Sequence, residues 1–329
     1  MKDSSSFNEV PLTSLEVCAG AGGQALGLEA AGFRHLALCE IDAHARATLK
    51  LNRPEWTVLE GDQADIKTLD GRPYAGVDLL AGGLPCPPFS VAGQKLGERD
   101  ERNLFADFLR LTRECQPRSL VIENVRGFLD PAFADFRNAL ARKFKRLGYS
   151  LDWRLLNASD YGVPQLRPRV VIVGFRRGLG AGFEWPAPHP DSAPTVGEVL
   201  HRDMASAGWE GADAWARGAQ RIAPTLVGGS KKHGGPDLGP TRARKAWAEL
   251  GIEGRTLAEL PPEPGLQGMP RLTVGMAAQI QGFPPDWVFV GRKTPAYRQV
   301  GNAFPPPVAE AVGKSVAAAL MRARACSDS

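Results

Sequence analysis

Ser14-Leu15-Glu16-Val17-Cys18-Ala19-Gly20-Ala21-Gly22-Gly23-Gln24-Ala25 decides the fold class. Ser14 to Cys18 reads as a short strand, Gly20 to Gly23 as a turn, and Gln24 to Ala31 as the start of a helix. The turn fits G-x-G-x-x-A between a strand and a helix, a pattern in which glycines let a ligand approach the backbone. His35 to Cys39 reads as a second strand, and it ends at Glu40, 20 residues after Gly20. An acid there can hold ribose hydroxyls. The pattern is that of a nucleotide site, and it serves a dinucleotide or another adenosine-containing cofactor equally. A tight structural turn with a solvated acid is the alternative.

Working outward, Asp42 to Leu51 has helical spacing, and Val77 to Gly82, Ser119 to Ile122 and Val170 to Phe175 are apolar runs. Alternation of this kind predicts an α/β fold with a doubly wound, mostly parallel sheet. The composition shifts near residue 183: ten of the 27 prolines precede it, and the rest lie between 186 and 307. Glycine-rich stretches appear in the same region. A second, smaller, loop-rich domain is therefore expected over 183–270, entered by the proline-spaced linker Trp185 to Pro190. Residues 271–295 read as a hinge. Val308 to Arg324 returns to alanine-rich helix, so 296–329 is expected to pack back on 1–182.

Composition excludes several classes. Of 329 residues, 43% are hydrophobic and 23% charged, ordinary values for a globular protein. No run of about 18 apolar residues appears, so no membrane span is expected. The N-terminus lacks the apolar core of a signal peptide. The five cysteines are scattered without CxxC pairs, which argues against zinc and a disulfide framework and for a reducing cytoplasm. The net charge of +4 is mild, but its distribution is not. Residues 217–245 hold Arg217, Arg221, Lys231, Lys232, Arg242, Arg244 and Lys245 against the single acid Asp237. Such a cluster on a glycine-rich scaffold suits phosphate contacts, or is a solvated loop surface.

Three further segments carry chemistry. In Gly83-Leu84-Pro85-Cys86-Pro87-Pro88-Phe89-Ser90, one thiol follows a strand end, where open α/β sheets place their sites. Pro85, Pro87 and Pro88 stiffen the backbone around it, as suits a nucleophile that must be aimed. In Ile122-Glu123-Asn124-Val125, an acid follows an apolar strand, where desolvation raises a carboxyl pKa toward that of a proton donor. A helix-capping or surface acid is the alternative. In Gln165-Leu166-Arg167-Pro168-Arg169, two arginines at alternate positions are expected to point the same way. They could hold a carbonyl or a phosphate, or form an exposed basic edge that discourages strand pairing.

Taken in order, Cys18 to Gly23, Pro85 to Ser90, Glu123-Asn124-Val125, Gln165-x-Arg167-x-Arg169 and Gln299-Val300-Gly301-Asn302-Ala303 resemble the DNA (cytosine-5)-methyltransferases of bacterial restriction-modification type. Arg271-Leu272-Thr273-Val274 with Gln281-Gly282-Phe283-Pro284 is similar to the segment before the last motif. The resemblance covers about residues 12–182 and 270–315, and leaves 183–269 as the variable target-recognition part.

It implies a Rossmann-like methyltransferase fold and S-adenosylmethionine as cofactor. Cys86 would be the nucleophile that adds to cytosine C6, and Glu123 would bind the N3–amino edge. Arg169 would hold O2, with Arg167 supporting the same site. Cys18, Gly20 and Gly22 would line the cofactor, Glu40 its ribose, and Ile41 its adenine. Pro85, Leu104 and Asn302 would complete the pocket. Asp62 and Asp65 both fit the acid that meets the adenine amino group. Ser90, Thr225, Lys231, Lys232, Arg242 and Arg244 would meet DNA. Double-stranded DNA is the expected partner, with the target base flipped out of the duplex. A monomer in the cytoplasm at the nucleoid is expected, with a cognate restriction endonuclease as genetic partner. An RNA methyltransferase, a silent DNA-binding module and a nucleotide-dependent oxidoreductase are the alternatives weighed. The basic insert counts against the first, and intact Cys86, Glu123 and the arginine pair against the second; labelled cofactor binding would separate the third, which the glycine loop alone permits.

Overall fold

The computed structural model describes residues 11–85, 104–229 and 235–326. Cys86, Ser90, Lys231 and Lys232 lie outside them. The first part alternates β1 (Leu12–Val17), α1 (Gly23–Ala30), β2 (Phe33–Cys39), α2 (Ala43–Asn52), β3 (Leu79–Gly83), α3 (Phe105–Cys115), β4 (Ser119–Val125), α4 (Ala134–Arg146), β5 (Tyr149–Asn157) and β6 (Pro168–Arg176). Then follow α5 (Val196–Ala205), α6 (Ala212–Gly218), α7 (Thr241–Ala248), α8 (Val274–Ile280), α9 (Lys293–Asn302) and α10 (Pro306–Ala325).

The strands form one sheet in the order β2-β1-β3-β4-β6-β5. β2, β1, β3 and β4 pair in parallel, and β6 runs antiparallel between β4 and β5. The sheet is mostly parallel, as expected, with β6 as the reversed strand. Its central strands are covered on both faces, which is why they read as continuous apolar runs rather than alternating ones. Leu80, Leu120 and Ile122 meet Phe105, Phe108 and Leu111 of α3 and Phe144 of α4. Leu79, Ala81 and Val121 meet Leu28 of α1 and Val308, Val312 and Val316 of α10. Asp42 caps α2 by accepting hydrogen bonds from the backbone N–H groups of His44 (2.9 Å) and Ala45 (3.3 Å). The C-terminal helix is anchored at the far end of the sheet, where Asp78 Oδ1 accepts from Arg118 (2.9 Å) and Arg324 (3.0 Å).

The proline-rich region is packed onto this framework. Val196 and Leu200 of α5, Trp215 of α6, Trp247 of α7 and Met276 of α8 share one apolar cluster with Leu26, Leu38, Leu49 and Trp56. The entering segment lies along β5: Trp185 donates to Asp152 (2.7 Å), and the Arg154 guanidinium lies 5.5 Å over its ring. A short parallel bridge joins Gln165 to Ala223, with Leu166 N–H donating to Ala223 O and Ala223 N–H to Pro164 O, both at 2.8 Å. This brings Thr225-Leu226 beside the start of β6.

Candidate active site

The C-terminal ends of β1, β2, β3 and β4 converge, and the residues singled out in the sequence follow those ends. After β1 the chain takes three left-handed conformations within five residues, at Cys18 (φ 53), Gly20 (φ 55) and Gly22 (φ 91). A Cβ on Gly20 would meet nothing within 4 Å, so open space adjoins the backbone there. Glu40, just past β2, holds the loop: Oε2 accepts from Gly20 N–H and Oε1 from Asp42 N–H, both at 2.7 Å. The carboxylate is 8% exposed. Burial pushes its pKa up, and the two N–H donors partly offset this. Each oxygen keeps acceptor capacity for a hydroxyl. Ile41, next in the chain, is 66% exposed, an unusual position for isoleucine and a ready apolar platform.

Cys18 keeps its proton, because burial and then the Glu40 charge raise its thiol pKa well above the ordinary value. The Asp65 charge adds to this, and it raises the Cys39 thiol as well. Asp62 is exposed, and its backbone carbonyl accepts from Thr68 Oγ1. An acceptor carboxylate, an open glycine and an exposed apolar side chain on adjacent strand ends fit an adenosine-containing cofactor. Glu16, two residues before Cys18, is completely buried, and neither of its carboxylate oxygens has a hydrogen-bond partner.

Beside this cleft, Glu123 lies two residues before the end of β4 and is buried. The Arg169 guanidinium Nε stands 2.8 Å from Glu123 Oε1. Burial raises the Glu123 pKa, and the charges of Arg169 and Arg167 oppose the rise. Gly83, the last residue of β3, is the register partner of Glu123. A Cβ on Gly83 would lie 3.6 Å from Glu123 Oε2, so the chain leaves β3 against this carboxylate. Pro85, exposed, and Leu104, which caps α3, flank the segment that contains Cys86 and Ser90.

The two arginines part company. Arg169 reaches Glu123, whereas Arg167 is turned into the interior with no exposed surface. Arg167 donates to the backbone carbonyls of Leu226 (2.8 Å), Gly301 (2.8 Å) and Ala303 (3.0 Å). Gln165 accepts from Leu226 N–H (2.8 Å) and donates to Gln281 Oε1 (2.7 Å). Gln281 in turn donates to Ala303 O at 2.5 Å. Arg167 therefore supports the site from behind, as a positioning residue that ties the start of β6 to the last turn of α9. Asn302, the last residue of α9, donates to Gly229 O (3.2 Å), so the end of α9 touches the glycine-rich stretch before residue 230. Thr225 donates through Oγ1 to Leu166 O.

Arg242 stands exposed on the first turn of α7, while Arg244 donates to Thr241 Oγ1 (3.3 Å) and its Cγ packs near Gly254. Among the described residues there is no group of three metal-ligating side chains. No helix of the described residues is long and apolar enough to cross a membrane. The bracing roles of Gln165 and Gln281 escaped the sequence reading, although both lie in quoted motifs.

A mostly parallel sheet with a glycine loop after β1, an acid after β2 and a carboxylate–guanidinium pair between β4 and β6 defines a Rossmann-like nucleotide-cofactor enzyme. Residues 12–318 match the family of C-5 cytosine-specific DNA methylases, and the chain belongs to that family: it is a DNA (cytosine-5)-methyltransferase. The Type II methyltransferase M.NaeI of Lentzea aerocolonigenes is 54% identical over 312 residues, 94% of this chain and 75% of that protein. The Type II methyltransferase M.NgoMIV of Neisseria gonorrhoeae is 51% identical over 317 residues, 94% of this chain and 98% of that protein. A crystal structure of Spodoptera frugiperda DNMT2 aligns with a TM-score of 0.62 at 18% identity, covering 93% of this chain and 99% of that one, a likeness of fold alone.

Proposed function

We propose that this enzyme methylates C5 of a cytosine flipped out of a specific double-stranded DNA sequence, as the modification partner of a restriction endonuclease. The observation that carries the reading is the Glu123–Arg169 pair near the end of β4, facing the last residue of the strand that leads to Cys86. S-adenosylmethionine supplies an electrophilic methyl group when bound. Glu40 would hold its ribose, with Gly20 and Gly22 under the chain, Cys18, Ile41 and Leu104 as apolar walls, and Pro85 and Asn302 at the rim. Asp65 would meet the adenine amino group.

The protein's own part is to make a poor nucleophile react. Cytosine C5 does not attack a methyl group unaided. The Cys86 thiolate adds to C6 and makes the ring enamine-like. Glu123 stabilises the proton on N3 as charge develops there, and Arg169 holds O2. Once C5 carries the methyl group, a base would take the C5 proton, and the electron pair left behind would re-form the C5–C6 double bond and expel Cys86 as thiolate. Arg167 keeps Arg169 and the last motif in place.

Residues 183–270 read the DNA sequence, with 271–295 as the hinge to the catalytic part, and Ser90, Thr225, Lys231 and Lys232 meet the duplex. The enzyme acts as a monomer at the nucleoid. Two measurements test the reading. Bisulfite sequencing of DNA from a host expressing the protein should show methylcytosine at one defined sequence. A duplex with 5-fluorocytosine at that position should trap a covalent complex, since fluorine blocks loss of the C5 substituent. Cys86→Ala should abolish both trapping and methyl transfer while cofactor binding persists, and full activity in that variant would remove Cys86 from the mechanism.

A further inference from the structure

The segment between α8 and α9 grips the cofactor loop from behind. Asn52, at the end of α2, donates to Val288 O (2.7 Å) and accepts from Val288 N–H (2.8 Å). Thr48 Oγ1 accepts from Val290 N–H (2.9 Å). Held this way, the buried Trp287 donates through Nε1–H to Ala21 O at 3.2 Å. Ala21 is the residue between Gly20 and Gly22, and a Cβ on Gly22 would lie 3.1 Å from the Trp287 ring. Trp56 packs beside it with ring centroids 6.1 Å apart, and the Arg53 guanidinium lies 5.3 Å over Trp287 and 5.7 Å over Trp56. Arg53 and Trp56 both donate to Glu29 of α1, at 3.1 and 2.8 Å. The loop is thus braced on one side by an indole and open on the other, at Gly20.

We infer that Trp287 is a positioning residue for the cofactor. A run of left-handed residues is held by its surroundings rather than by its own preferences. Glu40 holds the loop through Gly20 N–H, and Trp287 holds it through Ala21 O, one residue on. The indole N–H therefore sets the angle at which the loop meets a ligand, although Trp287 itself is too deep to touch one. The inference rests on the reading of the Gly20–Glu40 cleft as the S-adenosylmethionine site.

Trp287→Phe keeps an aromatic ring in the cluster and removes only the donor and part of the area. Its KM for S-adenosylmethionine and its Kd for S-adenosylhomocysteine should both rise on the order of tenfold, the worth of one buried hydrogen bond. Turnover at saturating cofactor should stay near that of the parent. Tryptophan fluorescence should respond to S-adenosylhomocysteine in the parent and respond much less in the variant. Asn52→Ala, which loosens the same segment from its outer side, should raise the same KM and covers the case in which Trp287→Phe fails to fold.

Glu40→Gln separates the two levels of the claim. If Glu40→Gln weakens S-adenosylhomocysteine binding while Trp287→Phe and Asn52→Ala leave it unchanged, the positioning role is overturned and the cofactor site stands. If Glu40→Gln has no effect, the site assignment falls and the inference falls with it. A lower melting temperature in Trp287→Phe with KM unchanged would reduce the indole to core packing and likewise overturn the inference.

Discussion

Arg169 Nε lies 2.8 Å from Glu123 Oε1, so the carboxylate near the end of β4 finds its cation on the neighbouring strand β6. Burial and this partner pull its pKa in opposite directions, and burial is the larger influence. A carboxyl held above its ordinary range is suited to sharing a proton with a ring nitrogen near neutrality. Glu123→Gln should therefore lower the single-turnover rate by about 10²–10⁴-fold, with far smaller changes in DNA and cofactor affinity. Rapid-quench methyl transfer at saturating cofactor checks this, and an unchanged rate would exclude Glu123 from the chemical step.

Arg167 is a matter of stability rather than contact with substrate. Its removal takes the side-chain donor from the carbonyls of Leu226 and Gly301, and one of two from Ala303, whose other donor is Gln281, in a site closed to water. Arg167→Ala should cost roughly 3–5 kcal/mol, the usual result of breaking a buried charged network from one side. Arg167→Lys keeps the charge but cannot serve three carbonyls with a fixed fork, so a loss of roughly 1–3 kcal/mol is expected. Urea unfolding of both variants decides, and a fully stable Arg167→Ala would show that the network is dispensable.

The part of this architecture legible in the sequence is the part with a local cause. Glycines after an apolar run placed the β1 turn, and an acid ending the next run placed Glu40. Doubly covered strands placed β3, β4 and β6. β5 was missed because it is an edge strand in which Ser150, Asp152 and Arg154 are exposed, leaving no apolar run to read. The alternation of Arg167 and Arg169 suggested a shared direction. However, β6 begins at Pro168, and Arg167 lies just before it, pulled inward by carbonyls some 60 to 140 positions away in the chain. Trp287 and Ala21 meet across 266 positions, a pairing that no local pattern encodes.

Asp65 and Asp62 offer two registers for the adenine contact, and the charge of Asp65 raises the thiols of Cys18, after β1, and Cys39, at the end of β2. Asp65→Asn should therefore weaken S-adenosylhomocysteine binding by about tenfold, as expected for loss of one charge-assisted hydrogen bond. Asp62→Asn should leave the affinity near that of the parent. Calorimetric titration of both variants separates the registers, and the reverse ranking would transfer the role to Asp62.

Glu16 gives a pH dependence with a definite sign. Burial first, and then the Glu40 charge, hold its folded-state pKa well above the ordinary carboxyl value. A group raised on folding stabilises the fold while it stays protonated, and that contribution is lost as pH climbs through the folded pKa. Glu16→Gln has the same shape and no charge to bury. The variant and the parent should melt together near pH ~4, where the carboxyl is largely neutral in either state. The variant should become progressively the more stable as pH rises toward 8, because the parent alone must then ionise or hold a proton against the solvent. Melting curves across that range check the trend, and a difference independent of pH would mean that Glu16 is paired in solution.

The basic cluster divides by role. Lysine is a compact point charge on a long stem, suited to phosphates, whereas arginine is the commoner bidentate reader of bases. Arg244 is engaged with Thr241 and packed near Gly254, whereas Arg242 is exposed on the first turn of α7, so we propose Arg242 as the base reader. Lys231→Ala with Lys232→Ala should weaken binding to cognate and scrambled duplexes alike, and the log–log salt slope should shrink by roughly one unit per lost contact. Arg242→Ala should instead relax the sequence preference at one base pair, with about 1–3 kcal/mol of discrimination lost there. Titrations of both duplexes at several salt concentrations, with bisulfite sequencing of the products, distinguish the two effects. Uniform weakening in Arg242→Ala would make that residue a phosphate contact, and unchanged affinity in the lysine double variant would take residues 231 and 232 out of the interface.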